Sequence, residues 1–189
     1  MGRRQYEVMA DPARQHERGP APDLEVVYQE EFAYVWRTLQ RLGIAGNDVE
    51  DLVHEVFVVV HRRLADYDPG RPIRPWLFGI AVRIAAKHRR RPRHRVEVLT
   101  EVDVAAPDSG ADEQLATHQA RNRLLKLLDV LDLNRRAVLI MSDIDGCPVP
   151  EIATALQIPL NTAYSRLRSA RQQLAEASRR LRALGPEEP

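Results

Sequence analysis

Wherever apolar residues recur in this chain they recur at the spacing of an α-helix, and no segment alternates strictly enough to require a strand. From Asp23 onward, Leu24, Val27, Phe32, Val35, Trp36, Leu39 and Leu42 lie near one helical face until Gly43 and Gly46 end the run. Asn47 or Asp48 is placed to cap a second helix, with a stripe of Val49, Leu52, Val53, Val56, Val59, Val60 and Leu64 and a stop at Asp68-Pro69-Gly70. Its valines favour a strand by propensity, but the short run Val56–Val60 sits inside a longer helical pattern, and the period decides. The spacing predicts a third helix from about Pro75 to Arg91, burying Trp76, Leu77, Ile80 and Ile84 and leaving Arg83, Lys87 and Arg90 on its remaining surface.

The periodicity lapses between Arg95 and about Ala111, where Pro107, Gly110 and acidic or small residues read as a linker. Beyond it, Leu115, Leu124, Leu127, Leu128 and Leu131 predict one helix and Ala137 to Ile144 another, stopped by Gly146-Cys147-Pro148. A short helix over Pro150–Leu156, a corner at Gln157-Ile158 and a long basic helix from Pro159 to about Leu184 complete the chain. The expected fold is all-α. A flexible tail over 1–22 precedes a helical domain over 23–94, a flexible acidic linker over 95–112, a second helical domain over 113–184 and a tail over 185–189.

Net charge is +1, but the charges are segregated, and their distribution matters more than the sum. Arg83, Lys87, Arg89, Arg90, Arg91, Arg93 and Arg95 stand without an intervening acid, and Glu97, Glu101, Asp103, Asp108, Asp112 and Glu113 follow without a base. A second basic block, Arg166, Arg168, Arg171, Arg179, Arg180 and Arg182, contains the single acid Glu176. Two cationic faces point to a polyanion.

Other classes are excluded by what the sequence lacks. One cysteine, Cys147, forms no internal disulfide and holds no structural zinc alone, and between Gly146 and Pro148 it reads as a turn residue. No apolar run approaches the ~20 residues of a membrane span, and the arginine-bearing N-terminus has no apolar signal core, so a cytoplasmic protein is expected. No glycine-rich phosphate loop, nucleophile elbow or paired metal motif is present, and His54 and His61 lack a third ligand. No enzymatic activity, cofactor or metal is expected.

The stretch EIATALQIPLNTAYSRLRSAR has the layout of a helix-turn-helix, a short helix packed across a longer one. Ala163, Leu167, Ala170 and Leu174 form a stripe against Ile152, Ala153 and Leu156, which leaves Asn161, Tyr164, Ser165, Arg168, Ser169 and Gln172 facing outward with groups that meet base edges and phosphates. Pro159 loses no helical hydrogen bond in a first turn. In the first domain, Trp76 beside a cationic helix face is suited to stack on an unpaired base, or, followed by Leu77 and Ile80, to anchor the core. Both roles hold if one edge of the ring stays exposed.

At these residues the chain resembles a known family. NDVEDLVHEVFVVVHRRLADYDPGRPIRPWLFGIAVRIAAKHRRR is similar to region 2 of bacterial extracytoplasmic-function sigma factors, and DLNRRAVLIMSDIDGCPVPEIATALQIPLNTAYSRLRSARQQL to region 4. The resemblance implies that Asp51, His54, Glu55, Arg62 and Arg63 dock on the clamp helices of the largest subunit of core RNA polymerase, with a further contact to the second-subunit flap. It implies that Tyr67, Arg71, Arg74, Trp76, Arg83, Lys87 and Arg90 hold the melted promoter element near −10, with one base flipped into a loop pocket. It assigns the duplex element near −35 to Asn161, Thr162, Tyr164, Ser165, Arg166, Arg168 and Ser169. It also implies restraint by an anti-sigma protein, often membrane-bound.

The chain departs from the family pattern at several positions. His54 stands where glutamine is usual and Arg83 where asparagine is frequent, while Tyr164 and Ser169 replace residues that are often basic. Gln157 stands where glycine often turns the corner, a strain of ~1 kcal/mol if the corner needs positive φ. The competing expectation is a helix-turn-helix regulator that binds a palindromic duplex as a dimer without polymerase.

Overall fold

The structure, a computed structural model, describes residues 22–90, apart from Ala45 and Asn47, and 111–183. The N-terminal tail, all but the last two residues of the expected linker, and the C-terminal tail lie outside the described residues. Among the described residues every regular element is helical: α1 (Leu24–Arg41), α2 (Asp48–Arg63), α3 (Ile73–Arg89), α4 (Ala111–Leu128), α5 (Leu133–Leu139), α6 (Val149–Leu156) and α7 (Leu160–Ala183).

In the first domain α1, α2 and α3 pack mutually. Asp23 caps α1 by accepting from the Glu25 amide at 3.0 Å, and Gly43, with φ of 85°, takes the left-handed turn that ends it. Val27, Val35, Leu39 and Leu42 are buried as the spacing predicts, but Phe32 and Trp36 are only half-buried. The buried stripe instead includes Glu31, Tyr34 and Thr38. Two of these polar residues are tolerated inside because each meets a partner from another element: Glu31 pairs with Arg74 at 2.9 Å, and the Tyr34 hydroxyl donates to Asp145 at 2.8 Å. Helix α2 buries Val49, Leu52, Val53, Val56, Phe57 and Val60, after which a single tight turn over Leu64–Asp66 redirects the chain. Helix α3 begins two residues earlier than predicted, at Ile73, because Pro75 is acceptable in a first turn.

The second domain packs α5, α6 and α7 together, with α4 along α7. Helix α5 starts at Leu133, not Ala137, because Asp132 caps it, accepting from the Asn134 and Arg135 amides at 3.0 and 3.1 Å. Its continuation, Ile140–Ile144, is wound wider, as a π-turn. The predicted stripe of α7 is buried through Ala163, Leu167 and Ala170, and Ile152 and Ala153 of α6 cover it.

One contiguous core runs through both domains, from Val27 to Ala170. The linker joins units that are packed together: α6 lies on α3, α5 also meets α3, and α4 touches α1. Arg136, with 2% side-chain exposure, pairs with Asp129 at 2.9 Å and donates to the Leu131 carbonyl. Its guanidinium lies so close to Gly43 that a Cβ there would come within 2.3 Å of Nη1.

Burial alone would raise the Asp132 carboxyl, but hydrogen bonds from the Arg135 amide and the Arg135 guanidinium hold it below the ordinary carboxylate range. A depressed folded-state pKa contributes stability above the unfolded value and loses it as pH falls through the folded one. Asp132→Ala is expected to lower stability by about 1 kcal/mol at neutral pH. In thermal unfolding the gap to the parent should narrow as pH drops below the ordinary carboxylate range.

Candidate nucleic-acid interface

The loop from Tyr67 to Pro72 is held by its own residues before it meets anything else. The Tyr67 hydroxyl donates to the Arg71 carbonyl, Asp68 accepts from the Gly70 amide at 3.0 Å, and the Arg71 amide bonds the Asp68 carbonyl at 3.0 Å. Arg71 and Asp68 also form an ion pair at 3.3 Å. The loop thereby presents Tyr67, 8% exposed, with its ring 5.2 Å from that of Trp76. Trp76 is half-buried, so it anchors the core through one edge and faces outward through the other.

Arg63, Tyr67, Arg71, Trp76 and Arg83 line one side of a cavity of about 630 Å³. A cleft with aromatic faces and guanidinium groups is equipped to stack a base and hold its phosphates. The opposite wall is α6 of the second domain, through Glu151, Thr154, Ala155 and Gln157. Arg83 donates to the Gln157 side-chain oxygen at 3.4 Å.

Lys87 and Arg90 continue the exposed face of α3, and Lys87 pairs with Glu55 of α2 at 2.7 Å. Arg74 is not part of this cavity. It turns toward α1, where it pairs with Glu31 and lies 5.1 Å from the centre of the Tyr34 ring. It lines a second cleft, of about 300 Å³, with Tyr34, Arg41, Asp145 and Cys147.

On α2, Asp51, His54 and Arg62 are exposed, Glu55 is tied to Lys87, and Arg63 stands 3.9 Å from Asp66. The exposed members share a stripe with Val58, which is 48% exposed although valine at a helix centre is normally core. Sequence reading missed Val58 because it is hidden in the run Val56–Val60, whose other members face inward fully or in part. Period alone would have flagged it, since positions 51, 55, 58 and 62 fall on one helical edge.

Along α7, Asn161, Tyr164, Ser165 and Arg168 are exposed, and Thr162, Arg166 and Ser169 half-buried. Tyr164 is 51% exposed, the outward placement its spacing predicts. Arg171 is held by Asp143 at 2.7 Å, which keeps it against α5's continuation. The corner is as strained as the Gln157 side chain implies: Gln157 has φ 56° and ψ 48°, a left-handed conformation.

Two family models match: one described as Sigma-70 region 2 over residues 27–95, and one described as Sigma-70, region 4 over residues 121–174. The chain therefore has the two-region organisation of the sigma-70 class. Over 142 residues it is 32% identical to the RNA polymerase sigma factor CnrH of Cupriavidus metallidurans, covering 70% of this chain and 74% of that protein. To the ECF RNA polymerase sigma factor SigL of Mycobacterium tuberculosis it is 30% identical over 149 residues, covering 78% and 84% respectively. To ECF sigma factor SigE of Mycolicibacterium smegmatis it is 32% identical over 158 residues, 82% of this chain but 61% of that one, so it spans about three fifths of that relative.

The chain belongs to the extracytoplasmic-function sigma factors, a family of non-enzymatic subunits. Two solved structures share its fold. CnrH in complex with the cytosolic domain of CnrY has a TM-score of 0.59 at 24% identity, covering 82% of this chain and 86% of that one. The sigma factor RpoE in complex with the anti-sigma factor NepR from Bartonella quintana has a TM-score of 0.62 at 20% identity, covering 82% and 95%.

Among the described residues no cluster of three metal-ligating side chains occurs, and no helix is long and apolar enough to cross a membrane. Cys147 is half-buried, with its Sγ 3.6 Å from Glu151, and burial followed by the Glu151 charge pushes its thiol up to about 12. A thiol so placed is almost wholly protonated at neutral pH. Alkylation by iodoacetamide at pH 8 should run at least about a hundredfold slower than for an unperturbed cysteine, approaching the ordinary rate only in denaturant. This is measured by mass spectrometry.

Proposed function

We propose that this chain directs core RNA polymerase to specific promoters and helps melt them, through three surfaces with separate tasks. The observation that carries the reading is the pairing in one chain of a Trp76–Arg83 cleft suited to unpaired bases with an exposed recognition helix suited to duplex. A duplex-only regulator has no use for the first of these. Tyr67, Arg71, Trp76, Arg83, Lys87 and Arg90 serve the strand near −10, and Arg74 supports them by bracing α3 against α1. Asn161, Thr162, Tyr164, Ser165, Arg166, Arg168 and Ser169 serve the duplex near −35.

The outer stripe of α2, with Asp51, His54, Glu55 and Arg62 around Val58, receives the clamp helices of the largest subunit, and Arg63 flanks it. An apolar groove of about 360 Å³ walled by Leu124, Leu127, Leu139, Ile144 and Leu174 suits a helix from the second-subunit flap. Restraint by an anti-sigma protein is supported by the RpoE relative, solved with the anti-sigma factor NepR; CnrH was likewise solved with a partner, the cytosolic domain of CnrY. The working place is the bacterial cytoplasm, with the chain held near the membrane when that partner is anchored there.

Run-off transcription with purified core enzyme on randomised promoter templates tests the reading: the chain should initiate from a recoverable sequence class, and silence on every template would end it. The double variant Asp51→Lys/Val58→Glu should lose core association at least about tenfold while retaining its fold by circular dichroism. Arg168→Ala should weaken duplex binding and reduce the slope of log affinity against log salt by about 1, the signature of one lost phosphate contact.

A further inference from the structure

Arg37 and Arg41 stand one helical turn apart on α1, a spacing at which like charges repel. Both line the cleft of about 300 Å³ that Arg74 also lines, so three guanidinium groups converge on one concavity. A fourth, that of Arg121 on α4, is near enough to act on Arg41. Burial, chiefly, disfavours the charge on Arg41; Asp145 opposes that effect, and Arg37 and Arg121 add to it. Gathered cations of this kind are costly until a group of opposite sign sits among them.

The acids at hand do not use up these donors. Glu31 takes both of its bonds from Nε of Arg74, at 2.9 and 3.2 Å, and the Nη groups of Arg74 donate to no other described residue. Asp145 is shared: one carboxylate oxygen accepts from the Tyr34 hydroxyl at 2.8 Å, and the other lies 3.5 Å from Nη1 of Arg41. That second distance exceeds the roughly 2.9 Å of a charge-assisted bond. Arg37 is exposed and makes no hydrogen bond or ion pair with any described residue. Three guanidinium groups against the one carboxylate of Asp145 leave the lining with two positive charges in excess, or one when Glu31, which pairs with Arg74 outside the lining, is counted.

Pro75, Met141 and Ile144 supply apolar lining. Met141 and Ile144 belong to the π-turn Ile140–Ile144, a helical irregularity of the kind that frequently marks functional sites. Apolar walls strengthen the attraction between the arginines and an anion. The planar guanidinium fork matches phosphate oxygens two at a time, and a volume of about 300 Å³ is at the small end for ligand pockets.

We propose that this cleft is a binding site for a compact phosphate anion of at least two negative charges, a diphosphate group held by Arg37, Arg41 and Arg74. Neither Arg37 nor Arg41 belongs to the surfaces assigned to promoter or polymerase. The arginines come from α1 and α3, and Met141, Ile144 and Asp145 from the second domain, so the anion touches both domains and stabilises the folded chain by mass action. A small free diphosphate and a nucleic-acid backbone offer the same chemistry and differ in what displaces them.

The probe is sodium pyrophosphate, titrated calorimetrically into the full chain with ionic strength held constant by chloride. One site with a Kd on the order of 0.1 mM is expected for a few charge-assisted contacts offset by the cost of association. At roughly a hundredfold excess over Kd the thermal midpoint should rise by about 5 °C. Alkylation of Cys147, which lines the cleft, should slow a further severalfold with pyrophosphate bound.

Arg37→Gln, which breaks no hydrogen bond or ion pair of the fold, should weaken binding at least about tenfold, and Arg37→Lys should retain part of it. Lys126→Gln removes the same charge from an exposed position of α4 outside the cleft and should leave Kd within about twofold. Absence of binding at millimolar pyrophosphate, or binding that Arg37→Gln weakens no more than Lys126→Gln does, would overturn the site. Competition with a short duplex oligonucleotide separates the two sources of phosphate. A duplex that displaces pyrophosphate and binds Arg37→Gln less tightly assigns the site to the nucleic-acid backbone. A duplex that binds parent and variant alike while pyrophosphate stays in place assigns it to a free diphosphate.

Discussion

Helix α3 is the constraint on which the rest of this structure depends, because one short element must serve three neighbours. Leu77, Phe78, Ile80, Ala81, Ile84 and Ala85 are spent on the core of the first domain. Arg83, Lys87 and Arg90 occupy the exposed remainder, and Gly79 marks the line where a helix from the other domain comes to rest. Core burial fixes the helix by the hydrophobic effect, which is strong and non-directional. Once fixed, it sets the rotation at which its cations and Trp76 are displayed. A cationic face carried on a loop would have no such register.

The electrostatics follow from that placement. Several cations on and around α3 are held by acids: Arg74 by Glu31 of α1, Lys87 by Glu55 of α2 and Arg71 by Asp68 of its own loop. The two largely exposed pairs, Lys87–Glu55 and Arg71–Asp68, contribute little stability, but they position side chains and are exchanged easily for phosphate, whereas Glu31 is buried in its pair with Arg74. The interdomain set differs in being partly buried. Burial, and then the Asp145 charge, push the Tyr34 hydroxyl above its ordinary range, so it remains a donor throughout the physiological span. Burial also raises the Asp145 carboxyl, while Tyr34 and Arg41 act against that rise.

Much of both domains is legible in the sequence because their signal is periodic. The stripes of α2 and α7 and the corner at Gln157 are read directly from spacing, and the two basic blocks from charge alone. What was not legible depends on pairs distant in sequence. Tyr34 and Asp145 are 111 positions apart, and nothing local marks either as a partner of the other. The family resemblance places Arg74 at the melted DNA strand, and nothing near it in sequence marks its partner in the fold, Glu31, 43 positions earlier. The start of α5 was misplaced because the apolar pattern begins at Ala137, whereas the helix begins where Asp132 satisfies its first amides. The packing of the two domains is encoded as well, but in the negative, by a glycine where a helix wants a side chain and by a side chain where a turn wants glycine.

The carboxylate of Glu55 sits between two of the surfaces, on the α2 stripe by sequence and bonded to Lys87 of α3 by geometry. Genetic defects at this position are consequently ambiguous by construction. Neutralising Glu55 subtracts an acid from one interface and, in the same stroke, unleashes an ammonium group at the other, so phenotypes would mix two causes of opposite sign. Only a paired design, in which Lys87 is altered alongside it, separates them.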